Sequence, residues 1–425
     1  MINVTLADLD TIGVEEKWNS GDENDYLMHT IHAYPAKFPA FIAKKAFEYA
    51  AEEGVNVNTV ADIFCGCGTV ALEAKIHNKH FWGCDINPVA TLIAKAKSQN
   101  YSIEKISNLF VRIKERYNAW QPNDDLYVNA NERLQYWFSE NNYITLYRIK
   151  SAIEFATDNG KYRNAFLCLF SSILKSSSHW LTKSIKPQID PGKKDMDPWK
   201  LFEDQYNKFI KALKQINNLP LIPCSIDITT QNFLSKKSFP SIDLIISSPP
   251  YVTSYEYADL HQLSTLWLNY ADDYRELRKG SIGSAYNSEN FDIELNELNT
   301  CGRRIVQELL DGEKSPTAKV KSVARYYLDM QLTIKNCARM LNNAGMVFFV
   351  VGDTEYKGVK IKNSEHLVEC LINEGFRDIK ASKRTISNKL LTPYRDGVGR
   401  FTSDKTSRTI YHEEFVISGR LFRNG

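Results

Sequence analysis

The chain has 425 residues, 43% of them hydrophobic and 24% charged, which excludes a disordered or fibrous protein. Lys plus Arg number 53 against 51 Asp plus Glu, a net charge of only +2, so any surface for nucleic acid must be a local patch. No apolar run reaches the roughly 18 residues of a membrane helix, and the acidic start lacks signal-peptide character, so a cytoplasmic protein without membrane contact is expected.

Residues 40–52 have helical spacing, and 58–64 (NTVADIF) read as a buried parallel strand. Gly66-Cys67-Gly68 ends that strand and Thr69–Ala74 opens a helix. Residues 80–84 form the next strand, ending at Asp85, and helix resumes at Pro88–Lys97. This βαβ unit with a glycine turn predicts an α/β fold with a doubly wound, Rossmann-like sheet. Residues 101–220 interrupt the alternation with helical periods (Ile103–Tyr117, Asn141–Asp158, Tyr162–Lys175, Pro198–Ile216) and read as a helical insertion. Residues 1–100 and 221–425 would then form the catalytic domain. Strand patterns return at 221–228, 242–247, 346–351, near Ile379 and at Glu414–Ser418, and a long amphipathic helix spans Val320–Leu341.

The eight cysteines, Cys65, Cys67, Cys84, Cys168, Cys224, Cys301, Cys337 and Cys370, are scattered, mostly in apolar runs, and read as reduced, buried thiols. Only Cys65 and Cys67 are close, and no second pair follows at metal-ligand spacing.

Two constellations carry chemistry. The first is Asp62-Ile-Phe64-Cys65-Gly66-Cys67-Gly68-Thr69, with Asp85 beyond it. Glycines at a strand end let backbone approach a ligand, and an acid at the next strand end can accept both hydroxyls of a ribose. Gly66-x-Gly68-x-x-Ala71 also fits a dinucleotide fingerprint. Asp62 disfavours that alternative, because a carboxylate there would repel a pyrophosphate and suits a cationic group instead. The second is Ser248-Pro249-Pro250-Tyr251, directly after the apolar strand Ile242–Ser247. Two prolines cannot continue a central strand, so the chain turns at the sheet edge where α/β ligands bind. The loop presents a hydroxyl, a free carbonyl and an aromatic face together.

These residues resemble the amino-methyltransferases of DNA, which use S-adenosylmethionine (SAM). Ser248–Tyr251 matches their Asp/Asn/Ser-Pro-Pro-aromatic loop, and Phe64-Cys65-Gly66-Cys67-Gly68-Thr69 resembles their glycine motif. His32-Ala-Tyr34-Pro-Ala-Lys37-Phe38-Pro39 looks like their N-terminal motif. The resemblance implies SAM contacts from Lys37, Phe38, Pro39, Asp62, Phe64, Cys65, Gly66, Gly68, Thr69, Asp85, Ile86 and Asn87, and from Asp227 beside the adenine. It implies catalysis by Ser248, Pro249, Pro250 and Tyr251. Here the glycine motif precedes the catalytic loop, whereas enzymes carrying Ser-Pro-Pro-Tyr more often run the other way round.

An aromatic amine is a poor nucleophile because its lone pair is delocalised into the ring. Ser248 Oγ and the Pro249 carbonyl, accepting its two N–H groups, would pull the nitrogen toward tetrahedral geometry. Tyr251 would stack on the base through its ring face, so that phenylalanine there should be tolerated. No covalent adduct is needed, so Cys65 and Cys67 are not nucleophiles. The target must be flipped out of double-stranded DNA. In the resembling family Ser-Pro-Pro-Tyr goes mostly with cytosine N4, which makes cytosine-N4 methylation in a restriction-modification setting, beside a cognate endonuclease, the expected function. Adenine N6, an RNA base amine, and a SAM-binding DNA-binding module without turnover stay open. Two basic patches are candidates for DNA: Lys183 and Lys186 in the insertion, and 377–409 with Lys383, Arg384, Lys389, Arg395 and Arg400. Tyr255, Tyr257 and His261 follow the catalytic loop on a helix read over Tyr255–Leu268, at a spacing that suits either the pocket or the core.

Overall fold

A computed structural model of the chain describes residues 1–19, 24–121, 125–252, 257–284, 291–312, 317–386, 394–395, 404, 408–409 and 413–423. In chain order its strands are β1 (Ile2–Asn3), β2 (Thr59–Asp62), β3 (His80–Asp85), β4 (Ile226–Thr230), β5 (Ile242–Ser247) and β6 (Leu341–Val351). They continue as β7 (Thr354–Tyr356), β8 (Val359–Ile361), β9 (Phe376–Thr385), β10 (Tyr394–Arg395), β11 (Arg408–Thr409) and β12 (Glu413–Leu421). The main sheet has the order β1-β9-β12-β6-β5-β2-β3-β4. β4, β3, β2, β5 and β6 run parallel, and β12 is antiparallel to both its neighbours, β6 and β9. The strand order reverses between β2 and β5, the switch point at which open α/β sheets bind ligands.

The helices are α1 (Ala40–Glu52), α2 (Thr69–Ile76), α3 (Pro88–Ser98), α4 (Ile103–Ala119), α5 (Glu132–Trp137), α6 (Glu140–Ala156) and α7 (Lys161–Ile173). They continue as α8 (Pro198–Asn217), α9 (Tyr257–Leu260), α10 (Gln262–Trp267), α11 (Thr300–Asp311), α12 (Ala318–Met340) and α13 (Asn363–Asn373). Side-chain alternation explains the two layers. Val60, Leu244, Ile246, Phe348 and Val350 pack on α1 and α2. Ala61, Ile245, Val347, Phe349 and Val351 face the core built with α11, α12 and α13. α4 to α8 lie between α3 and β4, and their core is continuous with α3 and α10 through Leu92, Ile93, Phe166, Phe170 and Trp267. Among the described residues this block carries no strand beyond an isolated bridge of Trp180 with Ile189.

Two expected elements moved. The strand read at 221–228 is β4, at Ile226–Thr230; Pro220 and Pro223 lie upstream, and the ladder with β3 starts only at Phe81↔Ile226. The helix read after the catalytic loop is broken between α9 and α10 at His261. Seven of the eight cysteines are buried, Cys224 partly, and all are free thiols. No helix among the described residues is long and apolar enough to cross a membrane.

Candidate active site

The glycine turn sits at the carboxyl end of β2. Gly66 and Gly68 have φ of +46° and +76°, and a Cβ on Gly68 would lie 2.6 Å from Ala94 Cα on α3. Only glycine meets both demands, and α3 thereby packs directly against the turn. Asp85, ending β3, reaches across: Oδ2 accepts the Gly66 N–H at 2.9 Å and Oδ1 the Asn87 N–H at 2.8 Å. Asn87 in turn caps α3 by accepting the Val89 N–H, with Pro88 at the first helical position.

Asp62 Oδ1 accepts the Ser247 hydroxyl at 2.6 Å and the Phe64 N–H at 3.2 Å. Burial still pushes its carboxyl up to about 7, and burial also raises Asp85 despite two N–H donors. A buried and a half-buried carboxylate at one sheet edge, both short of positive charge, favour a cationic ligand. Thr69 Oγ1, at the start of α2, is buried and lacks a partner, as does Gln231 Nε2 just past β4. α2 has no side-chain cap, so its first amides are open to an anionic group.

Tyr34 forms a wall, its ring 3.7 Å from where a Gly66 Cβ would stand. It stacks on His261, centroids 4.7 Å apart. Burial lowers His261 to about 4, so its imidazole is neutral at pH 7. His32 Nε2 meets Ser171 Oγ, which meets Ser264 Oγ at 2.7 Å. That chain joins the N-terminal motif, α7 and α10. Tyr255 lies outside the described residues, and Tyr257 is half-buried at the start of α9.

The catalytic-loop sequence leaves β5 beside β6. Ser247 pairs with Phe349, and Ser248 Oγ then donates to the Val350 carbonyl at 2.9 Å. Its proton is therefore engaged within the protein, its oxygen also stands within hydrogen-bonding reach of the Tyr251 phenol, and lone pairs are what it has left to offer a ligand. Pro249 and Pro250 have no N–H to extend the ladder. Tyr251 donates its hydroxyl to Glu414 Oε1 at 2.6 Å, so the hydroxyl expected to be dispensable is anchored.

The remaining expected residues divide. Phe64 is half-buried and Cys65 buried, its thiol pushed up by burial. Ile86 is half-buried, its Cδ1 2.8 Å from where a Gly280 Cβ would be. Lys37 pairs with Asp25, Phe38 packs against the core of α1, and Pro39 caps α1. Asp227 does not join the site: it is exposed and pairs with Trp82, three residues short of the strand end that faces Asp85. Gln231 lies at that strand end, its backbone N–H donating to the Asp85 carbonyl at 3.0 Å. Arg384 is placed in the interior and not on the surface: it is 3% exposed and its Nη1 binds Glu414 Oε2 at 2.8 Å. Lys383 is half-buried over the Phe415 ring, and Lys380 binds Glu53. Lys183 and Lys186 are exposed. Lys389 and Arg400 lie outside the described residues, and Arg395 is described only as backbone of β10. Sequence reasoning missed Ser247, Gln231 and Glu414. Only Ser247 carried a signal, by adjoining the loop.

A family model described as DNA methylase matches residues 8–96. The chain is 24% identical over 401 residues to the Type II methyltransferase M.MvaI of Kocuria varians, covering 85% of each protein. It is 29% identical over 105 residues to the Type II methyltransferase M.MjaII of Methanocaldococcus jannaschii, covering 24% of this chain and 19% of that protein. Among solved structures, an rRNA methyltransferase of Streptomyces viridochromogenes matches at TM-score 0.30 and 11% identity, over 92% of this chain and 88% of the other. A SAM-dependent methyltransferase of Methanosarcina mazei matches at TM-score 0.30 and 10% identity, over 92% and 100%. The fold rests on the strand order above, not on those two likenesses. The glycine motif lies within the residues that the DNA methylase model matches, and over most of its length the chain is similar to a Type II methyltransferase.

Proposed function

We propose that the protein methylates the exocyclic N4 amine of a cytosine flipped out of double-stranded DNA, as the modification half of a restriction-modification pair. The observation that carries this reading is Ser248: its hydroxyl proton is donated to Val350, which leaves the oxygen as an acceptor at the sheet edge. An acceptor is what an amine with two N–H groups requires. The Pro249 carbonyl is the second acceptor, and Tyr251 supplies the stacking face. Serine in place of aspartate favours cytosine over adenine, by the family's own association.

The residues at the ends of β2, β3 and β4 have the chemistry to hold SAM. Asp62 would hold its cationic amino group, the α2 amides and Thr69 its carboxylate, and Asp85 its ribose hydroxyls. Ile86 and Gln231 would flank its adenine. When bound, SAM supplies an electrophilic methyl group on sulfonium. The protein's part is to hold the amine in line, keep water out and accept its N–H groups at Ser248 Oγ and the Pro249 carbonyl. Lys183 and Lys186 are the proposed phosphate contacts, with Lys389, Arg395 and Arg400 as further candidates. The test is mass spectrometry of nucleosides from unmethylated DNA treated with the protein and SAM. N4-methylcytosine is the expected product; N6-methyladenine would overturn the choice of base, and methyl transfer to RNA alone would overturn DNA as substrate.

A further inference from the structure

Tyr251 is fixed at both ends. Its backbone follows two prolines, and its phenol tip is bound to Glu414 at 2.6 Å. Glu414 belongs to β12, where it sits opposite Arg384 of β9 in the ladder. The two side chains form an ion pair at 2.8 Å with 13% and 4% of their side chains exposed. The Arg384 guanidinium also lies over the Phe41 ring of α1. Gly352, just past β6, packs against Tyr251: a Cβ there would be 3.5 Å from its Cζ and 3.8 Å from Glu414 Cγ. Without a side chain at 352, phenol and carboxylate share one buried corner. An isolated buried carboxylate would be costly, and Arg384 offsets that cost.

We propose that Glu414, held by Arg384, is a positioning residue that tethers the ring of Tyr251 in the orientation needed to stack on the extruded base. This rests on the reading of Ser248–Tyr251 as the base-holding loop. Stacking is sensitive to plane and offset, and a platform free to turn about its side-chain bonds loses both. The ion pair is not placed to meet substrate. It acts through the phenol, from strands far from the loop in sequence.

The experiment combines two readouts. The first is single-turnover transfer of labelled methyl groups to unmethylated DNA by the wild type, Tyr251→Phe, Glu414→Gln and the double variant. Each single change should slow transfer roughly tenfold to a hundredfold, mainly through weaker capture of DNA, because a misplaced group near the chemistry costs about that much. The double variant should be no slower than Tyr251→Phe, which removes the whole tether and the phenol's contact with Ser248 besides. The second readout needs no substrate: fluorine NMR with 3-fluorotyrosine at position 251, in protein shown to be folded by thermal denaturation. The wild type should give one narrow resonance and Glu414→Gln a shifted or broadened one. An unchanged resonance, or additive losses in the double variant, overturns the tether. If the wild type transfers no methyl group to DNA, the functional reading falls, and the fluorine spectra still decide whether Glu414 holds the ring.

Discussion

Ser247 gives its hydroxyl proton to Asp62 Oδ1 at 2.6 Å, across 185 residues of sequence. β2 and β5 are neighbours in the sheet, with Ala61 opposite Ile245, so the glycine turn and the catalytic loop leave adjacent strand ends. The residue just before Ser248 is thus bonded to the carboxylate proposed to hold SAM's amino group. That buried hydrogen bond ties together the two halves of the candidate site, which the pairing of β2 with β5 sets side by side.

The role proposed for Asp62 predicts that SAM binding depends on pH. Burial raises its carboxyl to about 7, against an ordinary value of 3.8. The folded protein therefore binds this proton more tightly than the unfolded chain. The associated stability is fully present below pH 4 and is lost as pH rises through 7. A bound cation reverses the preference, so binding should expel the proton and tighten as pH rises toward 7. Calorimetry at pH 6.5 in buffers of different ionisation enthalpy should show roughly half to three-quarters of a proton released per SAM. Asp62→Asn should release close to none; undiminished release in that variant moves the effect to another group.

The candidate site is legible in the sequence because its parts are local. Gly66, Gly68 and Asp85 belong to one βαβ unit, and Ser248–Tyr251 is contiguous, so spacing and residue type place each at a strand end. Asp227 rests on the resemblance alone, with no spacing or strand end behind it. The ladder with β3 runs to Thr230 and leaves Asp227 mid-strand. Arg384 was indistinguishable from the other cations of 377–409, and only the β9–β12 register places it opposite Glu414. The Tyr251–Glu414 bond spans 163 residues with no motif between them to announce it.

Asp85 should matter to SAM more than its burial alone suggests. Asp85→Ala removes the proposed ribose acceptors and also orphans the Gly66 and Asn87 N–H groups. We expect SAM affinity to fall by about 2–3 kcal/mol, roughly 30- to 150-fold. Asp85→Asn, which keeps one carbonyl oxygen, should lose less. Unchanged affinity in a folded Asp85→Ala protein removes the residue from the site.

The basic residues should separate into two classes. Lys183→Ala and Lys186→Ala should each weaken DNA binding and flatten its salt dependence by about one unit of slope, with SAM affinity intact. Arg384→Met breaks a buried ion pair instead and should cost about 3–5 kcal/mol of stability with the salt slope unchanged. Binding titrations at several salt concentrations, beside thermal melts, check both. A reduced slope for Arg384→Met with an unaltered melting temperature would return that residue to the DNA surface.

Ser248→Ala tests the chemistry most directly. The substitution removes both the donation to Val350 and the oxygen proposed to accept an amine N–H. The first loss is local, because Pro249 and Pro250 still hold the turn. The second strikes the transition state, in which the nitrogen must leave the plane of the base. Loss of one such hydrogen bond in a site closed to water costs on the order of a hundredfold in rate. SAM and DNA affinities should stay near the wild type, since neither ligand needs this oxygen merely to bind. Single-turnover transfer of labelled methyl groups at saturating SAM and DNA isolates that step from binding and product release. A wild-type rate in Ser248→Ala would reduce the residue to a turn former and leave the Pro249 carbonyl as the sole acceptor. A hundredfold fall at unchanged affinity would assign the N–H acceptor to Ser248 Oγ, and the labelled nucleoside from the same reaction would report which base it serves.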